Sequence, residues 1–396
     1  MRSLKFTYKD MYIFFLIIYI LCLPLNAMNI GSFGSALKVV AILPIGIAFL
    51  TGGKIALTAP IRRQFLFTIF AACSIIWSVS ADGSIGRAGS YALLFVLLIS
   101  GAMFKYTDTD IKKVKCALAW SSRLTVIVMV IFSEYVGDRF MMMGIIEEDP
   151  NYLCAYFLFG VIYSLNILTS KSKASKKAWA IIELFLYFGL VLISGSRGGL
   201  LAVGAAVAMY LLTYGDKKTK HIEKKIVLII LIVVLMIVMI DHLPETLRLR
   251  FTVDNVIERG GAGRTTLWKQ TVDLFANGNL FRQSFGYGTA TIIWCFSYYG
   301  YSKVKLAHNM FLETLAELGV IGFIIYSAAV FSFIKTAFMA KDKFAFAVII
   351  GMLVMSMSAS IYAFKPYFNI MLFIIMLQNM TEDQGLTGTA QEWLCR

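Results

Sequence analysis

His308 is followed at once by Asn309 and then by an apolar run, Met310-Phe-Leu-Glu-Thr-Leu-Ala-Glu-Leu-Gly-Val-Ile-Gly-Phe323, in a chain with three histidines. It stands where a long polar stretch, residues 242–307, gives way to an apolar one. An imidazole titrates near neutrality, so it can accept a hydroxyl proton or, when protonated, contact a phosphate. Asn309 can hydrogen-bond and orient a polar substrate. Glu313 and Glu317 fall on one face of the following helix. Carboxylates near a membrane boundary are costly in lipid and point to a polar cavity or to pairing with loop arginines.

Two arginine elements accompany the histidine. Arg197 is the one charge of Ser194-Gly-Ser-Arg-Gly-Gly199, a tight turn between two apolar stretches. Glycines let a backbone approach a ligand closely, and a guanidinium matches phosphate oxygens bidentately. An arginine snorkelling to lipid headgroups would look the same. Arg264 lies in Gly263-Arg-Thr-Thr-Leu-Trp268, where the free N–H groups of a starting helix also favour an anion. An exposed loop arginine is the plainer alternative. Arg248, Arg250 and Arg259 in the same polar stretch indicate that it faces something anionic. Asp149, in Glu147-Glu-Asp-Pro-Asn151, is either a base for an acceptor hydroxyl or a turn and helix cap. Arg123, in the middle of an apolar stretch, either ties helices together or contacts substrate.

The elements that must position these residues are membrane helices. Of 396 residues, 59% are hydrophobic and 15% charged, and the mean hydropathy is +0.75. No soluble domain hides that much apolar surface. Long apolar runs favour an all-α polytopic integral membrane protein over a β-barrel. Twelve spans are expected, near 11–28, 36–51, 64–80, 89–104, 114–133, 152–170, 178–194, 198–214, 226–241, 308–334, 344–362 and 367–380. Lys and Arg collect in every second connection, for instance Lys171, Lys173, Lys176 and Lys177, then Lys217, Lys218, Lys220, Lys224 and Lys225. That alternation puts both termini in the cytoplasm of a plasma membrane. It also accounts for the net charge of +14 without nucleic acid as a partner. The apolar segment after Lys5 reads as an uncleaved first span.

The expected organisation is spans one to nine over residues 1–241, an extracytoplasmic loop over 242–307, spans ten to twelve over 308–380, and a polar cytoplasmic tail over 381–396. A loop of that length is functional or a small domain in its own right. Within it Leu267-Trp-Lys-Gln-Thr-Val-Asp-Leu-Phe275 reads as a short amphipathic helix. Gly-rich Arg259-Gly-Gly-Ala-Gly-Arg264 precedes it, and Phe285-Gly-Tyr-Gly288 follows as a turn. The six cysteines have no metal-ligand spacing and read as buried thiols. Walker, dinucleotide and nucleophile-elbow motifs are absent from the sequence.

The combination resembles the O-antigen ligase and Wzy-type polysaccharide polymerase superfamily of bacterial envelope proteins. The resemblance rests on Ser194-Gly-Ser-Arg-Gly-Gly199, on Gly263-Arg-x-x-Leu-Trp268 with Phe285-Gly-Tyr-Gly288, and on His308-Asn-x-Phe-Leu-Glu-x-x-x-Glu-x-Gly319, with Asp149-Pro-Asn151 as a weaker element. It covers roughly residues 149–323 and implies a GT-C-like glycosyltransferase needing neither metal nor cofactor. The donor would be an oligosaccharide on undecaprenyl diphosphate, and the acceptor a second lipid-linked glycan (polymerase) or lipid A-core (ligase). Arg197 and Arg264 would bind the diphosphate, and His308 would assist the acceptor hydroxyl or the leaving group. Asn309, Ser194, Ser196, Trp268, Glu313, Asp149 and Arg123 are candidate substrate contacts. Membrane lipids, a flippase and chain-length regulators are the implied partners. Transport of the same lipid-linked sugars is the rival from another class; against it stand the absence of an internal repeat and the clustering of candidates at one surface.

Overall fold

A computed structural model describes residues 7–28, 35–136, 139–144, 146, 148–213, 226, 230, 234, 237–252, 260–361 and 363–381. Most of the ninth expected span, the lysines of 217–225, Glu147, Arg259 and the tail from 382 lie outside the described residues. Helices dominate: α1 (Tyr8–Leu21), α2 (Ala36–Leu50), α3 (Ala59–Cys73), α4 (Ala81–Gly101) and α5 (Asp108–Phe132) come first. A two-stranded antiparallel hairpin follows, β1 (Ser133–Val136) with β2 (Arg139–Met142), in the register Ser133 opposite Met142. Then come α6 (Pro150–Thr169), α7 (Ala174–Ile193) and α8 (Arg197–Thr213). The 242–307 region contributes α9 (Glu245–Arg250), α10 (Gly260–Ala276), α11 (Leu280–Phe285) and α12 (Ile292–Tyr298). The chain closes with α13 (Met310–Met339), α14 (Lys343–Met355) and α15 (Lys365–Gln378).

Five of the described helices are long and apolar enough to cross a membrane: Ala59–Trp77, Ala81–Gly101, Asp108–Phe132, Pro150–Thr169 and Met310–Met339. Ala36–Leu50, Arg197–Thr213 and Lys343–Met355 are apolar but shorter. Local chemistry sets their starts. Thr7 with Asp10 and Thr107 with Asp110 form reciprocal capping boxes. Proline opens α3, α6 and α15, where its missing N–H goes unused.

The core is built where α8 packs on α14 and α6, α13 on α3, and α5 and α7 on α6. The α6 helix is enclosed along nearly its whole length, from Leu153 to Ile162. Polar links mark the two ends of the bundle. At one end Lys9 pairs with Asp110 at 2.8 Å and Lys115 with Asp342 at 2.6 Å. At the other end, connections distant in sequence meet: Arg139 Nε donates to the Ser194 carbonyl at 3.3 Å, and Tyr152 OH to the Ser360 carbonyl at 3.1 Å.

The 242–307 region builds a second, smaller core. Leu267, Leu274, Tyr287, Ile292, Cys295, Phe296 and Ala307 pack together with Ala316 of α13. The expected short amphipathic helix is part of the longer α10, and Gly263 at φ 79° breaks its backbone just before Arg264. Arg264 therefore begins a fresh helical run.

Phe285-Gly-Tyr-Gly288 is a clasp. Tyr287 and Gly288 donate backbone N–H groups to the carbonyls of Ala316 at 3.2 Å and Glu317 at 2.8 Å. This uses a break in α13, where Gly319 adopts φ 66°, ψ −174°. Gly286 and Gly319 pass so closely that a Cβ on either would overlap backbone, of Glu317 and of Ser284 respectively. Gly319→Ala is expected to lose about 2–5 kcal/mol, from left-handed backbone and overpacking combined. Gly204→Ala in α8, where a Cβ meets open space, should be close to neutral. Thermal unfolding in detergent compares the two, and equal melting temperatures would refute the clasp.

Candidate active site

The Ser194–Gly199 turn is built by caps. Ser194 Oγ donates to the Val191 carbonyl at 2.7 Å and accepts from Ser196 N–H at 3.3 Å. Ser196 Oγ accepts from Gly199 N–H at 2.9 Å, capping α8, and donates to Asn151 Oδ1 at 2.8 Å. Both serines are buried, so they shape the turn and offer no hydroxyl to its surface. Gly195 turns at φ 63°. Gly198 and Gly199 admit Ser358 and Cys154 where a Cβ would overlap them. The glycine content of this motif therefore serves packing between α6, α8 and the end of α14.

Asn151 carries the turn to Asp149. Asp149 Oδ1 accepts from Asn151 N–H at 2.7 Å and caps α6. This is the capping role weighed from the sequence, and it fixes the carboxylate beside the turn. Asp149 is also the acid that acts on both Arg264 and His308. The cap and an electrostatic role coexist in one side chain.

Four arginines converge here. Arg197 opens α8. An Arg264 Nη1 lies 3.7 Å from where a Cβ of Gly198 would stand. Arg250, from α9, donates through Nε to the Gly195 carbonyl at 3.3 Å. Arg139, from β2, holds the Ser194 carbonyl. Burial depresses the Arg264 guanidinium from its ordinary range; Asp149 opposes this, and Arg139, Arg197 and Arg250 add to it. Guanidinium groups gathered part-buried around one turn, with Asp149 acting on Arg264, concentrate positive charge, the chemistry that receives an anion. Sequence reasoning missed Arg139 and did not single out Arg250.

His308 completes the cluster. Its backbone is left-handed, φ 52°, which is uncommon outside glycine and marks a held position. What holds it is Glu313: Oε1 accepts the His308 N–H at 2.9 Å and the Ser360 hydroxyl at 2.6 Å. Asn309 caps α13, its Oδ1 accepting from Phe311 and Leu312 N–H at 3.1 and 3.2 Å. Trp268 Nε1 donates to the Ala307 carbonyl at 3.0 Å, and Gln270 holds Lys303. Asn309, Trp268 and Glu313 thus position the histidine. Burial lowers the His308 pKa below its usual 6.5; Asp149 pulls it up, while Arg264, Lys305 and Arg139 push it down. The imidazole is therefore neutral at pH 7.

Glu317 has a different task. Its carboxylate accepts the Ala290 and Ile292 N–H groups at 2.8 and 3.2 Å, fastening the start of α12. Among the described residues neither glutamate forms an ion pair with a loop arginine; Arg87 is the cation acting on both.

Arg123 is engaged elsewhere. Its Nε meets Glu183 Oε1 at 2.7 Å and its guanidinium lies over the Trp120 ring. Trp179 Nε1 and Ser164 Oγ donate to the same carboxylate at 2.8 and 2.7 Å. This is helix–helix glue between α5, α6 and α7. Arg123→Ala strands the buried Glu183 and should destabilise by about 3–5 kcal/mol, with transfer per folded molecule unchanged. Melting temperature and specific activity, measured on one preparation, check both halves.

Among the described residues no His, Cys, Asp and Glu group is disposed to hold a metal. What the site offers is a concentration of guanidinium charge beside a neutral, part-buried imidazole. The family model for O-antigen ligase matches residues 182–327, from within α7 to within α13, the stretch that carries Arg197, Arg264 and His308. No curated protein matches the chain.

Proposed function

We propose that the chain, whose residues 182–327 match the O-antigen ligase family model, transfers a glycan from undecaprenyl diphosphate to a sugar hydroxyl on a second lipid-linked glycan, at the extracytoplasmic face of the bacterial plasma membrane. The observation that carries this reading is the meeting of Arg197, Arg264 and His308 around the Ser194–Gly199 turn. The acceptor oxygen bonds to the anomeric carbon as the bond from that carbon to the diphosphate oxygen breaks. Undecaprenyl diphosphate leaves with the electron pair, and His308 takes the hydroxyl proton and passes it to water. The leaving group is a stable anion, so the largest need is for positive charge where negative charge develops. Arg197 and Arg264 supply it, with Arg139 and Arg250 beside them. A neutral imidazole suits a base for the incoming hydroxyl.

The family description favours a second reading, ligation to lipid A-core. Liposomes holding the protein and undecaprenyl-diphosphate glycan separate the two. Ladders of lengthening glycan formed without ATP are expected for the polymerase. Product only after lipid A-core is added would establish the ligase. Silence with both acceptors, from folded protein, would overturn transferase chemistry.

A further inference from the structure

A second polar cleft, of ≈ 340 Å³, opens at the same end of the bundle. Its cations are Lys38 from the first turn of α2, Arg87 from α4 and Lys365 from the first turn of α15; Glu148, Tyr152 and Ser360 complete its polar wall. None of these three cations was singled out in the sequence, because each stands alone in a different part of the chain. All are half-buried, and Lys38, Glu148 and Arg87 are the charges acting on Lys365. Among the described residues neither Lys38 nor Lys365 has an ion-pair partner within 4.0 Å. Lys38 and Lys365, part-buried in a polar cleft with Glu148, make a receptor for an anion.

Below the cleft runs a narrow apolar seam between α1, α2 and α4. Leu37, Ala41, Leu94 and Leu97 line it, and Lys38, Ser90 and Lys365 are shared with the cleft above. The seam encloses only ≈ 10 Å³, about one water, so a chain attached to an anion in the cleft would lie on the exposed apolar face of α2 beside it, at Val39, Ile42 and Leu43.

The cleft is separate from the arginine cluster yet shares its wall. Ser360 faces the cleft and donates to Glu313, which holds the His308 backbone. Glu148 faces the cleft while its neighbour Asp149 acts on His308 and Arg264. A ligand head seated here is linked to the histidine backbone through Ser360 and Glu313.

Resting on the transferase reading above, we infer that the Lys38–Arg87–Lys365 cleft seats the lipid-borne phosphate of the accepting molecule, while the arginine cluster seats that of the donor. Lipid-linked diphosphate and phosphorylated lipid A share this chemistry, so the cleft serves either acceptor.

The test is native mass spectrometry of the full chain in nanodiscs, with undecaprenyl diphosphate as probe and sodium pyrophosphate as the soluble comparison. The wild type should bind two undecaprenyl diphosphates. Lys38→Gln/Lys365→Gln should weaken one of them by at least about tenfold, the loss expected for charge-assisted contacts. Lys38→Arg/Lys365→Arg should restore it, which separates lost charge from lost fold. Arg197→Ala/Arg264→Ala should remove the other lipid. Two lipids retained in the glutamine variant would overturn the inference, as would pyrophosphate binding as tightly as the lipid. Two lipids retained with normal transfer in the Arg197→Ala/Arg264→Ala variant would instead overturn the transferase reading itself.

Discussion

Replacing Arg197 or Arg264 by alanine should lower glycan transfer by about 10²–10³-fold, the usual cost of removing one group that stabilises developing charge. The expectation follows from where the two side chains start. Arg197 is the first residue of α8 and Arg264 follows the Gly263 break, so both guanidinia project from helix beginnings toward one place. Lysine should not rescue either, because an ammonium cannot offer two parallel donors to a diphosphate. The fold should survive, since the buried caps of this turn come from Ser194 and Ser196. Initial rates in liposomes at saturating donor, with melting temperatures alongside, form the check. An alanine variant that keeps its rate would remove that arginine from the chemistry.

Arg250→Ala and Arg139→Ala should fall between wild type and those variants. Each spends a donor on a backbone carbonyl of the turn, Gly195 or Ser194, and so shapes the site as well as charging it.

These four arginines show how far the sequence reaches. Arg197 and Arg264 were legible because each sits in a glycine-rich element whose residue types fit a phosphate. Arg139 was not. It lies in a hairpin whose pairing is decided by tertiary packing, and a lone arginine in a short outer connection looks like any snorkelling side chain. The boundary at His308 was legible from the switch in hydropathy. Its left-handed backbone was not, and neither was the Glu313 carboxylate that holds it, because that contact needs Ser360 from another connection. For Glu317 the two alternatives left open, a cavity and an arginine partner, both gave way to a third. It fastens backbone N–H groups at 290 and 292, which no spacing announces. Phe285-Gly-Tyr-Gly288 was legible as a turn; that it clasps Gly319 depends on two chain segments meeting. Helix existence followed from composition and period, whereas the inward-facing cations of α2, α4 and α15 could be found only by folding the chain.

His308→Ala should cost roughly 10²–10⁴ in rate, the range for a positioned proton acceptor, and the pH profile identifies its role. The histidine is already neutral at pH 7, because burial and the cations Arg264, Lys305 and Arg139 disfavour the imidazolium more than Asp149 favours it. If the neutral form accepts the acceptor proton, transfer rises with pH through an apparent pKa below 6.5 and is flat above neutrality. Lys305→Ala removes a charge that disfavours protonation, so its acid limb should move to higher pH. Asp149→Asn removes the opposing charge and should move the limb to lower pH. Opposite displacements by two substitutions of opposite charge identify a titrating group within reach of both charges, as His308 is. A protonated histidine serving the leaving diphosphate gives the reverse profile, with activity falling as pH rises through the same pKa. Observation of that alkaline limb would transfer the proton-accepting role away from His308. A flat profile in all three proteins would leave the histidine as a hydrogen-bonding group and place the rate enhancement with the arginines alone.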